Sequence, residues 1–232
     1  MRAKPMIFFD IDGTLVDHEQ AEYRAAQAFQ HEYRHYFSDT PEIFVQRWHS
    51  IAEQHMERYL AGELSFQGQR RARLQALFAP HQALSDRDAD DLFTRYLRHY
   101  ENHWTLYPDV RECLHHLADY PLGIISNGDS VQQRQKLATL NIASLFSTIV
   151  ISGDIGISKP KRRIFIAACR QAKIPPAQSF YVGDKQQTDA EASSRAGFKG
   201  IWLNRKGKAQ ETQLPVIRSL AELRAVVESY NG

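Results

Sequence analysis

The sequence predicts an α/β protein, a doubly wound parallel sheet of about five core strands with an all-helical domain inserted after the first strand. Three observations predict it. Five short apolar runs alternate with helical segments, the pattern of a parallel sheet covered on both faces. The first run is followed by about ninety residues without a convincing strand. That same run also stops at two acids and a glycine, and open α/β sheets bind their ligands at the carboxyl ends of their strands. The expected division is a core of residues 1–16 and 106–232, with 17–105 as the inserted helical domain.

Each element has its own signal. Ile7-Phe8-Phe9 is an apolar run without polar alternation, as in a strand buried on both faces. From Asp17 to Tyr36 the chain lacks Gly and Pro and is rich in Ala, Glu, Gln and Arg, which favours helix. Ser38-Asp39-Thr40-Pro41 breaks that helix and starts another, with Thr40 as N-cap, running to Leu60 and ending at Gly62. Two further helices are expected from Ser65 to Phe78 and, capped by Ser85, to His103. Pro108 then opens a helix over Asp109–Asp119, and the pattern begins to alternate. Strands are predicted at Leu122–Ser126, Thr148–Ile151, Phe180–Val182 and Gly200–Leu203. Helices at Ser130–Leu140, Arg162–Ala172, Thr188–Ala196 and Leu220–Ser229 separate or follow them. A long insertion at the carboxyl edge of a sheet is placed to act as a lid.

Composition narrows the class. The 232 residues suffice to bury a large core without staples. A net charge of +2 is too mild to argue for nucleic acid or a membrane surface. Cys113 and Cys169 are isolated thiols without metal spacing, which suggests a reducing compartment. Met1-Arg2-Ala3-Lys4-Pro5 is followed by too few apolar residues to read as a signal peptide. A cytoplasmic protein is expected.

Chemistry concentrates at the strand ends. Asp10 and Asp12 are two residues apart, so in extended backbone both point to one side. Two carboxylates some 4 Å apart repel by roughly 4 kcal/mol at an effective dielectric near 20. They need a cation, a shared proton or strong hydrogen bonds; the plainer alternative is a polar turn, since Asp and Gly are ordinary turn residues. Ser126-Asn127-Gly128 offers donors suited to a phosphate, but is also a common turn. Lys159-Pro160 places a cation in stiff backbone, where a solvated surface lysine is the simpler reading. Asp184 ends a strand, and Asp189 alone reads as a helix cap. Together, three acids and a serine at the carboxyl ends of parallel strands, with one lysine on an intervening loop, make a different inventory. Mg²⁺ takes one or two carboxylates and leaves room for water and phosphate. A phosphoryl group needs fixed positive charge and donors on its oxygens, and a carboxylate can attack phosphorus.

These residues resemble the four ordered motifs of the haloacid dehalogenase superfamily. Asp10-Ile11-Asp12-Gly13-Thr14 matches the first and Ser126-Asn127-Gly128 the second; Lys159-Pro160 matches the third and Gly183-Asp184 through Asp189 the fourth. The resemblance spans essentially the whole chain and implies a Rossmann-like core with a helical cap of the first type. It implies Asp10 as nucleophile and Asp12 as general acid/base. Ser126 and Asn127 would bind the phosphoryl group, and Lys159 would neutralise it. Mg²⁺ would be held by Asp10, Asp184 and the backbone carbonyl of Asp12, with Asp189 supporting the metal or Lys159. Relatives that dehalogenate lack an acid at the position of Asp12, whereas phosphatases and phosphomutases keep it. A phosphatase acting on a small-molecule phosphomonoester (a nucleotide, a sugar phosphate or phosphoglycolate) is therefore expected, with phosphomutase as the alternative. Lys185 departs from the small Ser or Thr usual after the fourth-motif Asp.

Two other features compete for function. His31-Glu32-Tyr33-Arg34-His35 matches H-E-x-x-H, the helical signature of zinc peptidases. It carries charge nearly all round, and no third ligand follows at a known spacing. Substrate specificity would come from the inserted helices, with Arg70 and Arg73 as candidates against an exposed basic helix face. Asp17 and His18 lie nearer the acids. A non-catalytic binding protein on the same fold would have no use for mutually repelling carboxylates.

Overall fold

The computed structural model describes residues 4–209 and 211–230, so the first three residues of the basic N-terminal stretch lie outside it. Two compact units divide the chain, one comprising residues up to 18 and from 105 onward, the other residues 19–104.

In the first unit, β1 (Met6–Phe9) is completely buried, as an apolar run without alternation demands. β2 (Leu122–Ser126), β3 (Thr148–Ile151), β4 (Ser179–Gly183), β5 (Lys199–Leu203) and β6 (Val216–Ile217) complete a six-stranded sheet in the order β3-β2-β1-β4-β5-β6. Every pairing is parallel. β1 lies between β2 and β4, with Phe9 in register with Ile124 on one side and Val182 on the other. The strand order reverses there, and the crevice beyond such a switch point is where open sheets bind ligands. One buried cluster joins Phe8, Ile125, Val150, Phe165, Tyr181 and Phe198. Phe8 packs edge-on to Phe198 at 5.8 Å. Each large side chain so buried contributes about 1.5–3 kcal/mol.

The sixth strand was not expected. It is two residues long and follows Pro215, too short for an apolar run to announce it. The predicted helix at Thr188–Ala196 instead begins as a π-turn over Gln186–Glu191, with Asp189 buried inside it.

The second unit is helical among its described residues. It contains α1 (His18–Glu32, whose first residue belongs to the other unit), α2 (Pro41–Leu60), α3 (Phe66–Phe78) and α4 (Asp86–Asn102). Side chains of Thr40, Ser65 and Ser85 cap α2, α3 and α4 by accepting from the third backbone N–H beyond. Its interior is aromatic, built from Phe29, Phe37, Phe44, Trp48, Phe78 and Tyr96. α1 stops at Glu32 instead of continuing to Tyr36, and residues 33–36 form a turn. His31 and His35 therefore do not share a helix face. Glu32 is tied to Arg95 and His99 at 3.3 and 2.8 Å, so the H-E-x-x-H match is not the zinc arrangement it imitates.

The remaining helices belong to the first unit: α5 (Val110–His116), α6 (Ser130–Thr139), α7 (Ser152–Ile155), α8 (Arg162–Ala172), α9 (Ala192–Arg195) and α10 (Leu223–Ser229). Cys113 and Cys169 are buried free thiols. No helix among the described residues is long and apolar enough to cross a membrane.

Candidate active site

The acids of the first motif stand where β1 ends. Asp10 still holds the sheet, its N–H donating to Val182 O at 2.9 Å, before the chain turns sharply at Gly13. Gly13 has φ of +79°, and a Cβ on it would lie 2.5 Å from Asp184 Oδ2. Only glycine fits both the backbone and the space.

Asp10 is 6% exposed. Its Oδ1 accepts from Ser126 Oγ at 2.9 Å, at the tip of neighbouring β2, and lies 2.8 Å from Lys159 Nζ. Lys159 is held from every side. Its ammonium also reaches Asp189 Oδ1 at 2.8 Å and Tyr181 Oη at 2.9 Å. Asn127 accepts from Lys159 N at 2.8 Å and donates to Lys159 O at 3.0 Å, so its amide braces the lysine loop. Tyr181 in turn donates to Ile125 O at 2.8 Å. Burial works against the Lys159 charge, yet Asp10 and Asp189 hold its pKa above the ordinary lysine value.

Asp184 follows β4, and its backbone carbonyl is fixed by Trp202 Nε1 at 3.0 Å. Asp189 is fully buried and is no helix cap. Its Oδ2 accepts from the Lys185 N–H at 3.0 Å, so the backbone of Lys185 supplies that contact, while the Lys185 side chain is exposed. One ligand atom from each of Asp10, Asp184 and Asp189 lies within 4.8 Å of the others. Burial, followed by the charges of Asp10 and Asp189, pushes the Asp184 carboxyl up to about 7. Asp10 is raised too, by burial and its acidic neighbours against the pull of Lys159.

Asp12 is set differently. Its Oδ1 lies 2.5 Å from Lys136 Nζ and 3.9 Å from His18 Nδ1, and its Oδ2 accepts from Gln133 Nε2 at 2.8 Å. Burial opposes ionisation there, but Lys136 and His18 hold the Asp12 carboxyl well below the usual carboxylate range. Asp17 donates its backbone N–H to Thr105 O at 2.9 Å.

A divalent cation suits this donor set. Four carboxylates (Asp10, Asp12, Asp184 and Asp189) face two buried ammonium groups (Lys159 and Lys136), which leaves two negative charges in excess. Among the described residues Asp184 Oδ1 is buried without a hydrogen bond. Hard oxygen donors with an unsatisfied carboxylate are what Mg²⁺ takes, and its charge would reverse the upward shifts of Asp10 and Asp184.

The structure thus brings together Asp10, Asp12, Ser126, Asn127, Lys159, Asp184 and Asp189. Arg70 and Arg73 belong to the helical unit. The Arg70 guanidinium lies over the Phe66 and Phe93 rings at 4.3 and 5.1 Å. Arg73 is buried, and its Nε makes no hydrogen bond among the described residues. The sequence reading missed Gln133, Lys136 and Tyr181. The one available signal was the i, i+3 spacing of Gln133 and Lys136 on the helix just after Ser126.

A family model described as haloacid dehalogenase-like hydrolase matches residues 5–197. A glyceraldehyde 3-phosphate phosphatase of Methanopyrus kandleri is 38% identical over 109 residues, which are 46% of this chain and 46% of that one. The matched stretch is thus less than half that relative's length. The glyceraldehyde 3-phosphate phosphatase of Pyrococcus furiosus is 28% identical, covering 100% of this chain and 96% of the other. Among solved structures, a putative HAD-hydrolase of Bacillus subtilis bound to magnesium shares the fold, with a TM-score of 0.81 and 22% identity over 97% of this chain and 99% of that one.

Proposed function

The chain belongs to the haloacid dehalogenase-like hydrolases, and on that premise we propose that it is a Mg²⁺-dependent phosphatase of small phosphomonoesters working through a phospho-aspartate. One observation carries the proposal. Asp10 sits at the focus of Ser126 and Lys159, while a second acid, Asp12, is held two residues away by partners of its own.

In this reading the phosphoryl group settles against Ser126 Oγ and the Lys159 ammonium. An Asp10 carboxylate oxygen attacks phosphorus; the P–O bond to the alcohol breaks, and the Asp12 carboxylate relays to the departing oxygen the proton that the phosphomonoester monoanion brings in. Asp12, then a carboxylate, takes a proton from water as the water oxygen attacks phosphorus. The bond between phosphorus and Asp10 breaks, and phosphate leaves. Mg²⁺, held by Asp10, Asp184 and the Asp12 backbone carbonyl, would supply positive charge for the transferring group. Asp189 keeps Lys159 in place. Halide displacement has no need of a proton donor, which favours phosphate esters over haloacids.

The two relatives named above act on a phosphorylated three-carbon aldehyde, which supports small phosphorylated metabolites as the substrate class. The helical unit would serve as the cap, with Arg70 and Arg73 as its candidate contacts. A phosphomutase differs only in the acceptor, a sugar hydroxyl in place of water. A cytoplasmic location fits the two free thiols.

The test is phosphate release from a panel of phosphomonoesters with Mg²⁺, for the wild type and Asp10→Asn. Turnover by the wild type and a loss of at least about 10³-fold in the variant are expected. A wild type inert on the whole panel, or an active Asp10→Asn, refutes the proposal.

A further inference from the structure

Helix α6 sends two side chains one turn apart to a single carboxylate. Lys136 Nζ lies 2.5 Å from Asp12 Oδ1, and Gln133 Nε2 lies 2.8 Å from Asp12 Oδ2. Both residues are buried, at 1% and 2% exposure. The same Gln133 amide nitrogen is 3.2 Å from Ser126 Oγ and 3.0 Å from Asn127 O. Three oxygens face it, so the NH₂ end must point inward; turned over, the amide oxygen would meet a carboxylate. Gly128 makes the room, since a Cβ there would stand 3.2 Å from Gln133 Cγ and Nε2.

We propose that Lys136 and Gln133 are positioning residues for Asp12, fixing its carboxylate in one orientation tied to the Ser126 hydroxyl through the Gln133 amide, so that it can move the proton of the leaving group. The inference rests on the phosphatase reading above. Both Asp12 oxygens are engaged by α6, which leaves the side chain one orientation. Gln133 ties that orientation to the hydroxyl that would seat the phosphoryl group, so donor and reacting centre keep a common register. Lys136 does what a packing residue cannot. A buried ammonium is costly to desolvate, and replacing a buried ion pair by apolar side chains is often neutral or stabilising. Its presence therefore argues for a task beyond packing. Without it Asp12 loses its main countercharge next to three other acids and is free to rotate out of line.

The test uses esters whose leaving groups differ in their need for a proton. 4-Nitrophenolate departs without one, whereas an alkoxide does not. For Lys136→Met, kcat on the best alkyl phosphomonoester of the panel should fall about 10²-fold, the usual contribution of a placed acid, with KM nearly unchanged. First-turnover release of 4-nitrophenolate from 4-nitrophenyl phosphate should stay near the wild-type rate, and Lys136→Arg should restore most of the alkyl activity. Equal losses on both esters, or no loss on the alkyl ester, overturn the inference. Circular dichroism checks the fold, and if Lys136→Met does not fold, Gln133→Met carries the same pair of measurements with the same two outcomes. A wild type that cleaves neither ester fails at an earlier point and removes the phosphatase reading itself.

Discussion

Asp184→Asn should make the metal-free protein more stable while ending its activity. Asp184 stands beside Asp10 and Asp189, and burial together with their charges moves its pKa from 3.8 to about 7. A carboxyl whose folded pKa exceeds its unfolded value keeps its proton longer in the folded chain. Its effect on stability is therefore nil below pH 3.8 and grows more unfavourable as pH climbs to about 7, after which it is constant. At 1.36 kcal/mol per decade the full span amounts to about 4 kcal/mol. Partial contact with water reduces that to about 2 kcal/mol. An asparagine is neutral throughout and can donate to the neighbouring carboxylates. For a chain of this length about 2 kcal/mol corresponds to a rise of about 4–8 °C in the unfolding midpoint. The assay is thermal unfolding in chelator, comparing wild type and variant at pH 8.5 and again near pH 4, where the gap should close. Added Mg²⁺ should raise the wild-type midpoint and leave the variant where it was. A variant no more stable than wild type at pH 8.5 in chelator would refute the account of the acid cluster as a repulsive site.

Two further outcomes follow from contacts around the site. Asp109 receives Arg205 Nη1 and Nη2 at 2.8 and 3.0 Å, Ser219 Oγ at 2.8 Å and Leu220 N at 2.9 Å, so Asp109→Ala should cost about 3 kcal/mol in urea unfolding and speed hydrogen exchange at the Leu220 amide. Burial opposes the ionised form there, but those donors hold the Asp109 pKa below 3.8; their stabilisation is present at neutral pH and should fade as pH falls below about 4. Gly13→Ala should lower kcat about 10²-fold while the chain stays folded, because its Cβ would displace Asp184 from where it now stands; unaltered kinetics would show that this turn tolerates a side chain.

The strands were legible because a parallel sheet buried on both faces writes itself as unbroken apolar runs, and Ile7–Phe9 or Leu122–Ser126 can hardly be anything else. Asp10, Asp12 and Asp184 were legible because each stands just beyond such a run, whereas Lys159 and Asp189 lie on later segments and became legible only through the order of the four motifs. Other features depend on contacts between distant segments. Val216–Ile217 pairs only because β5 lies next to it. The π-turn at Gln186–Glu191 has no periodicity to betray it; it accompanies an Asp189 that turns back to bond the Lys185 N–H. Gln133 and Lys136 sit in Ser130-Val131-Gln132-Gln133-Arg134-Gln135-Lys136, a stretch polar enough to pass for a solvated helix face. Once the fold lays that helix beside the end of β1, the two become the most deeply buried polar groups on it. The H-E-x-x-H match erred in the other direction, since the spacing was right and the helix simply ended at Glu32.

The grip on Lys159 also fixes what that lysine will not do. Condensation with an aldehyde or ketone requires a neutral amine with a free lone pair. Two carboxylates at 2.8 Å and the Tyr181 hydroxyl at 2.9 Å keep this one an ammonium. A carbonyl-bearing phosphate ester could therefore rest against Lys159 without being captured as an imine, and acylating reagents would find it among the least reactive lysines of the chain.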